Sequence, residues 1–149
     1  MALTPGSVAP AIAGADLAAG PAAVVFYKVT CPVCQMAAPK VEAFERAYPG
    51  HVVGVGQDPA EKLGAFGERF GMSIRSVPDL PPYPASEAYR IEVVPTLFVV
   101  DDQGIVVEAV ESWDRDGYNR ASVALARLAG LPSAPISDAG DGLPAFRPG

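Results

Sequence analysis

Hydrophobic residues follow two different spacings along the chain, and the change from one to the other predicts where strands give way to helices. Residues 22–27 form a continuous apolar run, which is typical of a strand buried on both faces of a sheet. From Cys34 the spacing changes to that of a helix, which Pro49-Gly50 is expected to end. Pro39 lies inside this helix and is expected to kink it. The apolar residues of this helix are spaced along one face: Ala37, Val41, Phe44 and Tyr48.

The same alternation continues to residue 130. A turn sequence, Asp-Asp-Gln-Gly, joins the last two strands as a hairpin. Further strands are predicted at 51–56, 74–77, 95–100 and 105–110, and further helices from Asp58-Pro59 to Gly71, over 85–90, and from 114–116 to Gly130. The last helix has its apolar face at Tyr118, Ala121, Leu125 and Leu128. Strand–helix–strand units followed by an antiparallel hairpin predict an α/β fold, a mixed central sheet with helices on both faces.

The length and composition indicate one domain. The chain has 149 residues, half of them hydrophobic, which is enough for a substantial core. Residues 1–21 are rich in Ala, Gly and Pro and are expected to form an N-terminal arm. In the last part of the chain Ile136, Leu143 and Phe146 are isolated among Pro, Gly, Ser and Asp, so this part is expected to lie outside the main core. The sequence therefore predicts a domain over 1–131 and an irregular tail over 132–149.

The charge distribution argues against several classes of partner. The formal net charge is −6, from 11 basic and 17 acidic residues, and no run of Lys or Arg suits nucleic acid or an anionic membrane. No apolar stretch is long enough to span a membrane. The first residues have neither the basic nor the apolar region of a signal peptide, so a cytoplasmic protein is expected. A monomer is the expected oligomeric state. A periplasmic or exported protein is the alternative if a leader has been removed.

Both cysteines of the chain lie in the sequence Cys31-Pro32-Val33-Cys34. A disulfide across two residues closes too small a loop to contribute much stability, which leaves redox chemistry or half of a metal site. The motif falls between a buried strand and a helix, where unpaired backbone amides and the helix dipole stabilise a thiolate. Cys31 is therefore the expected nucleophile, and Cys34, within the first helical turn, is expected to be more buried and less acidic.

Four features in the same order resemble the thioredoxin superfamily: the strand 24–27, the Cys-x-x-Cys motif, Pro39, and Val94-Pro95-Thr96 before a strand. The insertion between residues 71 and 93 is similar to the TlpA/redoxin branch, in which an extra helix and strand precede the cis-proline strand. The resemblance implies a thioredoxin-like fold and a thiol–disulfide oxidoreductase acting on protein disulfides.

The resemblance also implies roles for individual residues. Cys31 would attack a disulfide, and Cys34 would resolve the mixed disulfide. Pro95 would be a cis-proline facing the cysteines. The substrate-binding residues would be Val94, Pro95, Thr96, Pro32 and Val33. No cofactor or metal is expected, because the cysteine pair carries the two electrons, and the expected partners are protein or small-molecule disulfides and thiols together with an upstream redox protein.

The sequence departs from the resembled family at three positions. The Trp that thioredoxins carry before the first cysteine is Thr30 here. The buried acid of thioredoxins corresponds to Val25, and the acid of some TlpA-type proteins corresponds to Ala37. No residue is therefore assigned as the group that accepts the proton of Cys34.

Two other functions remain open at this stage. A thiol peroxidase would have Thr or Ser three residues before its cysteine, where this chain has Lys28, itself expected to be solvated. A non-enzymatic redox-responsive or metal-binding adaptor would need further ligands, and the chain offers only His51, expected at the surface. Trp113 is expected to pack on the sheet or the last helix.

Overall fold

The computed structural model describes residues 1–149, and its centre is a five-stranded mixed sheet. The strand order is β3-β2-β1-β4-β5. The first three strands in sequence are parallel, and β4 and β5 add antiparallel pairs. The strands are β1 (Ala22–Tyr27), β2 (Val52–Gly56), β3 (Arg75–Pro78), β4 (Thr96–Val100) and β5 (Val106–Glu111).

Four α-helices connect the strands: α1 (Pro32–Ala47), α2 (Ala60–Phe70), α3 (Pro84–Ala88) and α4 (Arg115–Ala129). Gly71 and Gly130 follow α2 and α4 with φ angles of 71° and 68°. This left-handed conformation suits glycine and ends a helix, which is why the sequence located both ends correctly. None of the helices combines the length and the hydropathy that a membrane crossing requires.

The side chains of the sheet form two cores, one on each face. Val25, Leu97 and Val99 face a cluster with the apolar sides of α1, α2 and α4. Val24 and Phe98 face the other cluster, which α3 and the N-terminal arm cover. The predicted mixed sheet with helices on both faces is confirmed. The predicted extra helix and strand are also present, since β3 and α3 come between α2 and β4 along the chain.

The predicted apolar face of α4 is wrong at one position. Leu128 is 36% exposed, whereas Ser122 and Ala126 are buried beside Leu125. The spacing identifies the buried face of α4 but not where along the helix the burial ends, and it ends at Ala126. Trp113 is fully buried and packs edge-to-face on Tyr118 of α4, as predicted.

Residues 134–149 were expected outside the main core, and this is wrong for Ile136, which is 5% exposed within the larger core cluster. The segment is held there by Asn119 of α4. The Asn119 side chain accepts hydrogen bonds from the amides of Ile136 and Ser137, at 2.8 and 3.1 Å, and donates to the Ser137 carbonyl at 2.9 Å. The Asn119 side chain supplies hydrogen-bond partners for backbone groups that have none in an irregular segment. The segment can therefore be buried without forming a strand or helix.

The rest of the segment crosses α1 and α4. The Asp141 carboxylate forms ion pairs with Lys40 of α1, at 2.9 Å, and with Arg115 of α4, at 3.4 Å. The chain ends in a two-residue strand, β7 (Phe146–Arg147), antiparallel to β6 (Trp113–Asp114). The division into a domain over 1–131 and a tail over 132–149 stays a prediction, which truncation after Leu131 tests.

Candidate active site

Cys31 caps the N-terminus of α1. Its Sγ accepts a hydrogen bond from the backbone amide of Cys34, 3.2 Å away, and Pro32 occupies the first helical position, where a missing N–H costs nothing. The thiol proton points to the Val94 carbonyl oxygen, 3.4 Å away and 63 residues later in the chain. The sulfur is partly exposed, and both cysteines are free thiols.

The loop before Cys31 is fixed by two side chains. The Asp58 carboxylate accepts a hydrogen bond from the Val29 amide at 2.9 Å, and the Gln35 side chain donates to the Val29 carbonyl at 3.0 Å. The sequence assigned Asp58 only to the start of α2 and gave Gln35 no role. No sequence pattern predicts these contacts. Asp58 lies 29 residues after Val29 in the chain, and Gln35 lies six residues after it.

The Val94–Pro95 peptide bond is cis, as predicted, and it places the Val94 carbonyl against Cys31. The Pro95 carbonyl accepts a hydrogen bond from the Ser112 amide at 2.8 Å, which ties this loop to the end of β5. Thr96 is fully buried and its hydroxyl donates to the Val93 carbonyl, so its side chain is not presented to a substrate. That Val94, Pro95 and Thr96 bind substrate stays a prediction.

The two residues between the cysteines differ in exposure. Pro32 is exposed, whereas Val33 is 6% exposed and belongs to the core. Of this predicted substrate-binding pair, Pro32 therefore presents the larger surface to a partner.

Hydrogen bonding lowers the pKa of Cys31 to about 6. The Cys34 side chain is the largest cause, followed by the backbone amides of Cys34 and Val33 and the positive charge of Arg147, while partial burial acts in the opposite direction. The sequence predicted the helix contribution. It did not identify Arg147, which comes from the far end of the chain.

Burial raises the pKa of the Cys34 thiol, and the neighbouring Cys31 sulfur raises it further. Val25 and Ala37, the two positions where resembled proteins carry an acid, are both buried and apolar. The Tyr118 hydroxyl is buried without a hydrogen-bond partner, and burial raises its pKa. Cys34 is therefore held as a neutral thiol.

We expect the rate at which iodoacetamide alkylates Cys31 to be half-maximal near pH 6. Only the thiolate reacts, so the rate should fall below this pH and level off above it, whereas the urea-unfolded chain should show an ordinary thiol pKa near 8.5. The folded pKa lies below the unfolded value, so the thiolate contributes full stability above about pH 9 and loses it as the pH falls towards 6. A half-maximal rate near pH 8.5 in the folded protein would contradict the assigned environment.

The side chains of His51 and Lys28 make no contact with the two cysteines, and no metal site accompanies them. The half-buried His51 ring makes a hydrogen bond of 2.7 Å with the Pro21 carbonyl. No group of three or more His, Cys, Asp or Glu is arranged to hold a metal ion. Lys28 contributes its backbone carbonyl, which accepts from the Cys31 amide at 3.2 Å.

Residues 9–109, which include both cysteines and the cis-proline, match the AhpC/TSA family. The chain belongs to this family. No curated protein sequence matches it. AhpC/TSA membership and the thioredoxin-like fold support an oxidoreductase at a general level, with Cys31 and Cys34 as its Cys-x-x-Cys pair.

Solved structures similar to this AhpC/TSA member are thiol–disulfide oxidoreductases. The thioredoxin domain of a thiol-disulfide oxidoreductase from Bacteroides vulgatus is 24% identical, with a TM-score of 0.70 over 83% of this chain and 99% of that one. A putative thiol:disulfide interchange protein DsbE from Chlorobium tepidum is 18% identical, with a TM-score of 0.70 over 83% and 98%. A thiol-disulfide isomerase from Corynebacterium glutamicum is 18% identical, with a TM-score of 0.66 over 89% and 96%. At these identities the similarity establishes the thioredoxin-like fold.

Proposed function

We propose that this protein is a thiol–disulfide oxidoreductase that exchanges electrons with protein disulfides through Cys31 and Cys34. The observation that carries the proposal is the position of the Cys31 sulfur. The sulfur accepts a hydrogen bond from the Cys34 amide at the helix N-terminus, and it lies against the Val94 carbonyl of the cis-proline loop. This sulfur combines thiolate stabilisation with partial exposure of its residue, and attack on a disulfide requires both.

In the first step the Cys31 thiolate attacks one sulfur of the substrate disulfide. A Cys31–substrate bond forms, the substrate S–S bond breaks, and the departing sulfur leaves as a thiolate that takes a proton from water. In the thiolate the proton that was hydrogen-bonded to the Val94 carbonyl is gone. The sulfur still accepts the hydrogen bond from the Cys34 amide.

The first step prepares the second. The Cys31 sulfur is one of the causes that raise the pKa of Cys34, through its hydrogen bond and its negative charge. Both effects weaken once Cys31 is bound to substrate, so the pKa of Cys34 falls. The Cys34 thiol then loses its proton and attacks the Cys31 sulfur, forming the Cys31–Cys34 disulfide and releasing the second substrate thiol.

This cycle transfers two electrons to the substrate and leaves the protein oxidised, so a dithiol protein must reduce it again. The same steps in reverse oxidise a substrate dithiol. The direction depends on the reduction potential, which spans about 150 mV among proteins with this chemistry and can be measured by equilibration with glutathione.

We expect the protein to accelerate the reduction of insulin disulfides by dithiothreitol, followed as turbidity. The control is the same protein alkylated at Cys31 beforehand, which should return the rate to that of dithiothreitol alone. Hydrogen peroxide consumption is measured in parallel. Peroxide turnover without any disulfide reduction would support the peroxidase alternative, and neither activity would support the adaptor alternative.

A further inference from the structure

The C-terminal strand segment, residues 146–149, is fixed beside the candidate active site. The Trp113 indole donates to the Pro144 carbonyl at 2.7 Å, and the Arg115 amide donates to the Ala145 carbonyl at 2.9 Å. Beyond the β6–β7 pair, the Gly149 amide donates to the Ser112 hydroxyl at 3.0 Å. Arg147 therefore lies on a backbone that is anchored on both sides.

This segment contacts two parts of the site. Gly149 lies so close to the Val94 backbone that a Cβ on Gly149 would overlap the Val94 carbonyl. This carbonyl accepts the hydrogen bond that the Cys31 thiol donates. The Arg147 guanidinium lies 3.8 Å from the sulfur of Met36, in the first turns of α1 and 111 residues earlier in the chain. The segment thus extends from the cis-proline loop to the start of the helix that Cys31 caps.

Arg147 places an exposed positive charge beside α1, the helix that Cys31 caps, in a protein whose net charge is −6. Its charge is among the causes that lower the pKa of Cys31. An exposed guanidinium also remains free to pair with a carboxylate of a bound partner, in one or two hydrogen bonds. The net negative charge of the protein repels acidic partners, so a cation on this side of the candidate active site favours the approach of a partner with a carboxylate there.

We propose that Arg147 is a positioning and specificity residue, which stabilises the Cys31 thiolate and directs the protein to disulfides flanked by acidic residues. The substrate class rests on the proposed function. The exchange step is unchanged: Cys31 gains a bond to the attacked sulfur and the departing sulfur leaves with the electron pair. Arg147 adds attraction for the carboxylate beside that disulfide.

The first test uses chemical modification and does not depend on any enzymatic activity. Cys31 of the reduced protein is alkylated with anionic iodoacetate and with neutral iodoacetamide, and mass spectrometry verifies the site. We expect Arg147→Gln to lower the iodoacetate-to-iodoacetamide rate ratio about threefold, the size of one exposed charge interaction. Arg147→Lys should retain the ratio, as should Arg127→Gln, which removes an equal charge from the far end of α4. A ratio that Arg147→Gln leaves unchanged overturns the proposal.

The second test compares two disulfide peptides that differ only in having Glu or Lys beside the cysteines. The wild-type protein should reduce the Glu peptide with a kcat/KM about threefold higher, and Arg147→Gln should abolish this preference while Arg147→Lys retains it. Salt at 1 M should reduce the preference, because it screens charges beyond about 3 Å. An equal preference in the wild type and in Arg147→Gln overturns the assigned substrate class. Reduction of neither peptide overturns the proposed function instead, and the alkylation ratio still decides whether Arg147 acts on Cys31.

Discussion

The Cys34→Ser protein should accumulate a stable mixed disulfide with its substrate, whereas Cys31→Ser should lose both exchange and trapping. Cys31 carries the low-pKa sulfur at the helix N-terminus, and Cys34 is 3% exposed in the core. Removing the attacking thiol should lower activity by on the order of a thousandfold or more, as loss of a covalent nucleophile does. The measurement is non-reducing electrophoresis of each variant after incubation with a disulfide substrate, with mass spectrometry of the adduct.

A matched variant, Cys34→Ala, separates the two roles of the Cys34 side chain. That side chain is the largest cause that lowers the pKa of Cys31, and serine keeps a hydroxyl that can donate in its place. We therefore expect Cys34→Ala to trap substrate as Cys34→Ser does, but to need a higher pH to reach its full rate of attack. Trapping by Cys31→Ser and not by Cys34→Ser would instead exchange the roles of the two cysteines.

Truncation after Leu131 should lower the free energy of unfolding by about 3 kcal/mol or more, because it removes the buried Ile136 and the partners of Asn119. That is a large part of the total stability of an ordinary domain. The lost residues also cover the Trp113 indole, whose N–H bonds to the Pro144 carbonyl. Urea denaturation of both chains measures the difference.

Two further variants locate the effect. Truncation after Ala145 removes β7 and the last two residues, all of them exposed, so its cost should stay below about 1 kcal/mol. Ile136→Ala in the full chain should cost about 2 to 4 kcal/mol, as truncation of a buried Ile usually does. If truncation after Leu131 costs less than about 1 kcal/mol, residues 1–131 are the stable domain and the segment that follows only rests on it.

The Cys-x-x-Cys site could be predicted because its chemistry is local. A strand end, a helix start and two thiols lie within a few residues, and the backbone amides that stabilise the Cys31 thiolate belong to that same turn. The order of strands and helices was equally accessible, since burial on a sheet or a helix repeats along the chain. The expected cis bond before Pro95 is present, and the resemblance to known proteins supplied it.

The parts that could not be predicted depend on contacts between distant residues. Ile136 belongs to no periodic apolar pattern, and its segment is held in the core by Asn119, 17 residues earlier, which pairs with its backbone. Leu128 fits the spacing of α4 and is nevertheless exposed, because spacing fixes a face of the helix and not how far the sheet extends beneath it.

By itself the sequence determined the fold class, the element order and the pair of reactive sulfurs, because periodicity and helix termini are properties of short segments. The tertiary structure alone decided that Asp58 fixes the loop before Cys31, that Val94 meets its sulfur, and that Arg147 brings a positive charge to it. A thiolate responds to every charge and donor within reach in space. Those groups come from a loop, a cis-proline turn and the last strand, which only folding brings together.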